Sequence, residues 1–147
     1  MQPVVDAELS LAGFAGRRNS WRRKSREIIS VVQLQKDPYG NYGYLNVGFW
    51  ICSLGANPAP LERECHIRLR ACDLFNNLRD RIDVFMDLER VSMSDAERIN
   101  GIHRAMRVTV IPFLDSAQNL EGLTKNLSRV EGPSLMIRKE AGPVLGK

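Results

Sequence analysis

The amino-acid sequence predicts a single α+β domain, in which an antiparallel meander of about four strands is packed on one face by an N-terminal helix and C-terminal helices. Three observations support this fold class. Apolar residues alternate with a period of two over roughly residues 19–71, and they recur at helical spacing before and after that region. Turn residues, rather than helices, join the strand-like runs, which is typical of antiparallel neighbours. The length of 147 residues is that of one ordinary domain.

The first segment is predicted to be a short helix. Val5, Leu9 and Ala12 recur at i, i+4 and i+7, so they fall on one face of a helix. Gly13 follows where a C-cap glycine commonly ends a helix, and Phe14 is the hydrophobic residue that would close that end. The helix is therefore expected to stop just before this glycine.

Strand patterns begin after the first helix. The strands are expected over residues 19–24, 27–36, 42–52 and 64–71. A tight turn at Ser25–Arg26 would join the first two strands. Asp37–Asn41 has the composition of a second turn, because proline fixes its own φ while glycine and asparagine tolerate positive φ. Strands connected in this way are expected to pair as a meander.

The second half of the sequence is predicted to be helical. Asp73 is expected to cap a short helix, and Ser94–Glu97 has the spacing of a capping box at the start of a longer one. Pro112 lies inside the apolar pattern of that longer helix and should kink or split it, because proline has no N–H to donate. One more helix is expected after it. Residues 1–132 would thus form one domain, and residues 133–147 a tail that is either flexible or packed on the sheet.

Composition limits the classes of function. No apolar run reaches the roughly 20 residues that cross a bilayer, and Asp6 and Glu8 interrupt the stretch where a secretory signal would be apolar. Cys52, Cys65 and Cys72 are odd in number and form no CxxC pair, which fits a reducing compartment. We therefore expect a cytoplasmic protein that spans no membrane and binds no cofactor.

Strand alternation assigns each side chain to one side of the sheet. The side chains expected to face the helices are Leu45, Val47, Phe49, Ile51, Cys65, Ile67, Leu69 and Ala71. The side chains expected on the outer side, which we call the candidate face, are Gln33, Gln35, Tyr44, Asn46, Trp50, Glu64, His66, Arg68 and Arg70. Stacking groups, amides and guanidiniums together suit the recognition of carboxylates or phosphates.

Two interpretations of the candidate face stay open. In the first, the face binds a partner, which is either another protein or a second copy of the chain. In the second, a C-terminal segment or a second subunit covers the face. An uncovered sheet face with Trp50 and two tyrosines would otherwise be an exposed apolar patch without a reason. Both interpretations make it a contact surface. The sequence therefore favours a small interaction protein over an enzyme.

Cys65 and His66 are residue types found in metal sites and catalytic pairs. Alternation sends their side chains to opposite sides of the sheet, so they would share neither an ion nor a proton. His103 is the only other histidine, and a zinc site would lack ligands; no metal site is expected. His66 is interpreted as a partly exposed sheet histidine. An enzyme of unknown reaction centred on His66 stays an alternative, and no catalytic residue is assigned.

Nucleic-acid binding through a basic cluster is a further alternative. The cluster consists of Arg17, Arg18, Trp21, Arg22, Arg23, Lys24 and Arg26. Clustered cations with an aromatic side chain favour polyanions, and the net charge of the chain is +4. Alternation would divide the cations between two faces, however, and charged edge strands also protect a sheet against aggregation. We prefer the protective role.

Five short segments resemble a bacterial family known as domain-of-unknown-function family 4304. They are Gly13-Phe14, Trp21-Arg22-Arg23, Val31–Lys36, Tyr44–Gly48 and Cys65–Arg68, in this order. The resemblance covers roughly residues 13–71 and consists of strand patterns rather than catalytic signatures. It implies an α+β fold with a small antiparallel sheet and supplies no reaction. By analogy with other small bacterial families, it suggests an immunity protein of a toxin system as one kind of interaction protein.

Overall fold

The computed structural model describes residues 1–146 and confirms the α+β class, with six antiparallel strands in one sheet in the order of the sequence. The strands are β1 (Ala15–Arg17), β2 (Ser20–Lys24), β3 (Ile28–Lys36), β4 (Gly43–Ile51), β5 (Ile67–Arg70) and β6 (Met136–Ile137). The helices are α1 (Gln2–Leu11), α2 (Ile82–Phe85), α3 (Asp95–Ala105), α4 (Ile111–Ser116) and α5 (Leu120–Leu127). A π turn over Met106–Val110 joins α3 to α4.

The sheet has more strands than the sequence pattern predicts. β1 is three residues long and all of them are exposed, so it shows no apolar alternation. β6 has two residues, and pairing of Ile137 with Ile67 and of Met136 with Arg68 fixes its place. Both edge strands therefore arise from pairing with a neighbour, which a local pattern does not record.

A row of large apolar side chains crosses the sheet on the side of the helices. The register places Trp21 opposite Val32, Val32 opposite Val47, and Val47 opposite Leu69. All four are buried in the main core, together with residues of the helices. The side chains of β4 and β5 that were expected to face the helices do lie in this core.

The buried carboxylate of Glu8 connects α1 to α3 and to the π turn that follows α3. Glu8 lies 2.6 Å from His103 Nδ1 and accepts a hydrogen bond from Arg107 Nε at 2.8 Å. The helix ends as predicted, because Gly13 has a left-handed φ of +89° and the Phe14 N–H donates back to a carbonyl of the last turn at 2.9 Å. The position of the first helix is thus fixed by polar as well as apolar contacts.

The proline in the C-terminal helical run is accommodated by the π turn. The sequence predicts a kink or a split at Pro112, and the structure places the π turn directly before α4, with Pro112 in the first turn of α4. The missing N–H is well tolerated at such a position. At the start of the run, Ser94 accepts a hydrogen bond from the Glu97 N–H at 3.1 Å, so α3 begins as the capping box predicts.

Asp73 does not begin a helix, which corrects the sequence prediction. Residues 71–74 form a single 3₁₀ turn, and the next α-helix is α2. The Asp73 carboxylate is occupied by a distant residue instead: its Oδ2 accepts hydrogen bonds from the Ser134 N–H at 3.0 Å and from the Ser134 hydroxyl. Beyond Ser134 in the chain, Ala141 and Leu145 are buried in the main core.

One segment, residues 52–65, covers part of the outer side of the sheet, and we call it the strap. Its Cys65 packs against Ile29 and Val31 in a small second core. The expectation that Cys65 faces the helices is therefore wrong. Regular pairing of β5 begins only at Ile67, so strand alternation does not extend back to Cys65. The strap approaches the sheet closely above Gly48, which has no side chain in the way.

Replacing Gly48 with alanine should loosen the strap. The new Cβ would lie 2.8 Å from Cys65 Sγ, 2.9 Å from Cys65 Cβ and 3.3 Å from the Glu62 carbonyl oxygen. Such overpacking forces shifts of the backbone, so the free energy of unfolding, measured by urea denaturation, should fall by about 1–3 kcal/mol. Gly43→Ala in the same strand is the matched control, because its nearest neighbours would lie at 3.4 Å. Equal losses in both variants would contradict the prediction.

Candidate functional site

Cross-strand pairing arranges the outer side of the sheet in rows. Gln33 lies opposite Asn46, and Asn46 lies opposite Arg70 on its other side. An adjacent row pairs Gln35 with Tyr44. The strap packs on the apolar rows that lie further along the strands. The polar rows are left as the open half of the outer side.

A groove of about 620 Å³ lies on this open half. Four residues of the candidate face line it, namely Gln35, Asn46, Arg68 and Arg70. The other lining residues are Glu62, Leu69, Cys72, Asp73, Arg81, Pro133, Ser134 and Met136. The structure therefore brings together a part of the candidate face in a concave site, which is the form that ligand sites usually take.

Arg70 is a cation of the groove without an acidic partner. Its guanidinium carbon lies 4.1 Å from the centroid of the Tyr44 ring, a cation–π contact, and the residue is exposed. Its main-chain N–H donates to Ser134 Oγ at 2.9 Å, which fixes the end of β5. Within residues 1–146, no carboxylate lies at ion-pair distance from this guanidinium. Its hydrogen-bond donors are therefore free for a ligand.

The amide of Asn46 is buried next to Arg70 and is oriented by two glutamines. Its Nδ2 donates to Gln35 Oε1 at 2.8 Å, and Gln33 Oε1 lies 3.5 Å away. Its Oδ1 receives no hydrogen bond from the residues that the structure describes. Because a fixed amide oxygen is a good acceptor, Asn46 can take an N–H from a ligand.

The guanidinium of Arg68 is neutralised by the strap. Its Nε and Nη2 donate to the two carboxylate oxygens of Glu62, at 2.9 and 3.1 Å. Hydrogen bonding to Glu62 raises the pKa of Arg68 above its ordinary value. The Glu62 side chain is buried, and a two-bonded fork of this kind fixes both position and orientation. The pair anchors the strap at the edge of the groove.

The remaining charges of the groove come from Asp73 and Arg81. Arg81 donates to both carboxylate oxygens of Asp83, at 3.1 and 2.7 Å, so its charge is also compensated. Within residues 1–146, the one hydrogen bond that Asp73 Oδ1 accepts is a weak one from the Cys72 thiol, at 3.9 Å. Burial raises the pKa of that thiol, which makes Cys72 a weak nucleophile at neutral pH. Arg70 and Asp73 are thus the two charged groups of the groove that have no ion-pair partner within residues 1–146.

His66, Trp50 and Glu64 lie outside the groove. His66 is buried, which corrects the expected partial exposure: its Nδ1 accepts the Ile51 N–H at 2.9 Å, and its ring centroid lies 4.2 Å from that of Trp50. Burial lowers the pKa of His66 below its ordinary value. Glu64 belongs to the strap and accepts a hydrogen bond from the Leu61 N–H at 2.8 Å. The His66 imidazole therefore supplies the hydrogen-bond acceptor for the N–H of Ile51, the last residue of β4.

The basic cluster of β1 and β2 does not form one surface. Trp21 is fully buried and its indole N–H donates to a carboxylate of α1 at 2.7 Å, so the ring is not accessible for stacking on a base. Arg23 pairs with Asp115 of α4, whereas Arg22 donates to the Pro60 carbonyl of the strap on the other side of the sheet. The exposed members of the cluster are Arg17, Arg18, Lys24 and Arg26. Nucleic-acid binding through this cluster stays a prediction.

Sequence reasoning did not identify Glu62, Asp73 and Ser134 as residues of the groove. Glu62 precedes the regular strand and has no place in its alternation. Asp73 and Ser134 are 61 residues apart, so no local pattern connects them. The one available signal was Asp73, an acidic residue three positions after the arginine-rich strand β5, and it indicated a helix cap equally well.

The fold and the groove define a small α+β protein, with one meander sheet, helices on one side and a polar groove on the other. The chain belongs to the family described as Domain of unknown function (DUF4304), whose model matches residues 5–116. This match confirms the resemblance and extends it over most of α1 and all of α2, α3 and α4. No curated protein and no solved structure matches the chain.

Residues 1–146 contain neither a helix that could span a membrane nor a cluster of metal-ligating side chains. No helix within residues 1–146 combines the length and the apolar composition needed to cross a bilayer. The same part of the chain places no group of three or more His, Cys, Asp or Glu side chains where they could hold a metal ion.

Removing Arg68 alone should destabilise the protein more than removing the whole ion pair. In Arg68→Met the buried Glu62 carboxylate would lose its cation, and we expect the free energy of unfolding to fall by about 1–2 kcal/mol. This is less than for a fully buried pair, because the Arg68 side chain is 34% exposed. Glu62→Gln combined with Arg68→Met should recover part of the loss, since no charge stays buried. A double variant that is less stable than Arg68→Met in urea would refute this.

His66 should make the stability depend on pH. Its pKa is lower in the folded protein than the ordinary 6.5, so the unfolded chain binds the proton more readily. The free energy of unfolding should therefore be highest above about pH 6.5 and decrease as the pH falls toward the pKa of the folded state. His66→Gln can still accept the Ile51 N–H but does not titrate, and it should flatten this part of the profile. Urea denaturation at a series of pH values measures both proteins; equal slopes would show that His66 is not the cause.

Proposed function

We propose that the protein is a non-catalytic interaction module that binds a protein partner in the groove. The observation that carries the proposal is Arg70, an exposed cation stacked on Tyr44 with no ion-pair partner within residues 1–146. Arginine and tyrosine are enriched where proteins contact one another. Asn46 and Gln35 add an oriented amide pair beside the cation.

The chemistry of the groove supports binding rather than catalysis. The Cys72 thiol has a raised pKa, so it is a weak nucleophile at neutral pH. The Nδ1 of His66 is engaged with a backbone N–H away from the groove. Arg68 and Arg81 are held in ion pairs. These groups are arranged to fix the walls of a site, and none is placed as a general base next to a nucleophile.

The compartment and the kind of partner belong to the same proposal. Cys52, Cys65 and Cys72 are free, and free thiols are typical of the reducing cytoplasm. The partner is a different protein; a toxin that an immunity protein neutralises is one case, suggested by analogy. A second copy of the chain is the other occupant that a groove of this kind would fit.

Filling the groove should abolish binding of the partner. In Gln35→Trp a large side chain would enter the groove, and an exposed strand position accepts aromatic residues. Lys24→Trp is the matched control, because Lys24 is exposed on β2 but does not line the groove. Tagged wild-type protein and both variants are crosslinked in cells of the source organism, and the captured proteins are quantified by mass spectrometry. We expect a partner whose recovery falls at least about tenfold in Gln35→Trp alone.

Isothermal titration calorimetry with the purified partner should show the same dependence of binding on the groove. The Lys24→Trp control should bind with the affinity of the wild type, and Gln35→Trp should not bind. The proposal is wrong if no captured protein depends on the groove, or if both variants lose the same proteins. If light scattering instead shows a wild-type dimer that Gln35→Trp dissociates, the partner is a second copy of the chain.

A further inference from the structure

We infer that the partner is anchored in the groove by a carboxylate, carried on an acidic side chain of an extended peptide segment. This inference rests on the proposed function and adds the chemistry that the groove would recognise. It depends on three features of the site: the charges that are left uncompensated, the orientation of the Arg70 guanidinium, and the hydrogen-bonding groups around it.

The charges of the groove suit a monoanion. The guanidiniums of Arg68 and Arg81 are each paired with a carboxylate, so they attract a further anion only weakly. Arg70 is left as the uncompensated cation, and the Asp73 carboxylate lines the same groove. The single charge of a carboxylate is matched by Arg70, whereas a dianionic phosphate or a nucleic-acid backbone would bring further negative charge that no free cation matches and that Asp73 would repel more strongly. Charge complementarity therefore favours a carboxylate.

The orientation of Arg70 suits a bond to a flat anion. Its guanidinium carbon lies 4.1 Å from the centroid of the Tyr44 ring, so the ring covers one side of the group, and its N–H donors have no acceptor within residues 1–146. A carboxylate at the edge of the guanidinium can accept two parallel hydrogen bonds, the arrangement that makes arginine selective for carboxylates over point anions. The Ser134 bond to the Arg70 main chain fixes the strand from which the side chain projects. The anchor is thus oriented before a ligand arrives.

The neighbours of Arg70 suit a peptide rather than a free acid. Asn46 Oδ1 and Asp73 Oδ1 can each accept an N–H, and the Gln35 amide nitrogen donates to no group within residues 1–146. The backbone of an extended peptide supplies both N–H and C=O groups, which these side chains would pair with. A free carboxylic acid would bind Arg70 and leave the other groups unused. The volume of about 620 Å³ lies within the range of ligand pockets.

The test uses small probes of defined chemistry with the isotope-labelled full chain. Acetyl-Ala-Glu-Ala-amide is titrated while nuclear magnetic resonance signals of the Gln35 and Asn46 side-chain amides and of Arg70 Nε are followed. The same peptide with glutamine in place of glutamate, sodium acetate and inorganic phosphate are titrated in parallel at constant ionic strength. We expect the glutamate peptide to shift the groove signals and to bind at least about tenfold more tightly than each of the other three probes.

Variants at Arg70 assign the effect to its guanidinium. Arg70→Gln should bring the affinity for the glutamate peptide down to that for the glutamine peptide, and Arg70→Lys should restore only part of it, because lysine keeps the charge but not the fork. Lys24→Gln, on the same sheet outside the groove, should bind like the wild type. The inference is overturned if the groove signals do not shift up to the solubility of the glutamate peptide, if the two peptides bind equally, or if acetate or phosphate binds as tightly as the glutamate peptide.

Failure of this inference can be separated from failure of the proposed function. If Gln35→Trp abolishes binding of the partner and Arg70→Gln leaves it intact, the groove binds the partner but the carboxylate anchor is wrong. If the partner is lost in neither variant, the proposed function itself is wrong. If both variants lose the partner and the peptide series behaves as expected, both conclusions hold.

Discussion

The structure depends on covering a sheet whose central strands are apolar on both sides. In β3, Ile28 and Val32 face the helices while Ile29 and Val31 face away from them, and all four are buried. Burial of one such side chain contributes roughly 1.5–3 kcal/mol, so neither side can stay in water. The helices cover one side. The strap covers the other side, and it can approach the sheet closely because Gly48 of β4 leaves space for it.

The groove is a consequence of where that covering ends. The strap protects the apolar rows and stops at the polar ones, so the open half of the sheet is bordered by a fixed segment. Arg68 lies at this border, because it binds the buried Glu62 of the strap and also lines the groove. The strap and the site are therefore coupled through this ion pair, both members of which line the groove. Loss of the ion pair would loosen a wall of the groove as well as the second core.

Periodicity could predict the residues that lie within regular strands. Asn46 and Arg70 project as expected because each is inside an uninterrupted ladder, where side chains must alternate. Cys65 and the exposure of His66 were predicted wrongly, since both residues precede the first regular pair of β5. The contribution of Ser134 could not be predicted, because its partners are brought near by tertiary packing. The same holds for both edge strands, which are too short to carry a period.

One side of the groove is built from a part of the chain that the ribosome makes late. Ser134 bonds to Arg70 across 64 residues and to Asp73 across 61 residues. Synthesis proceeds from the N-terminus, so β1 to β5 can emerge and pair while Ser134 is still inside the exit tunnel. A nascent chain at that stage would have the strands β1 to β5 but an unfinished groove. The groove would be complete only once the segment around Ser134 has docked against Arg70 and Asp73.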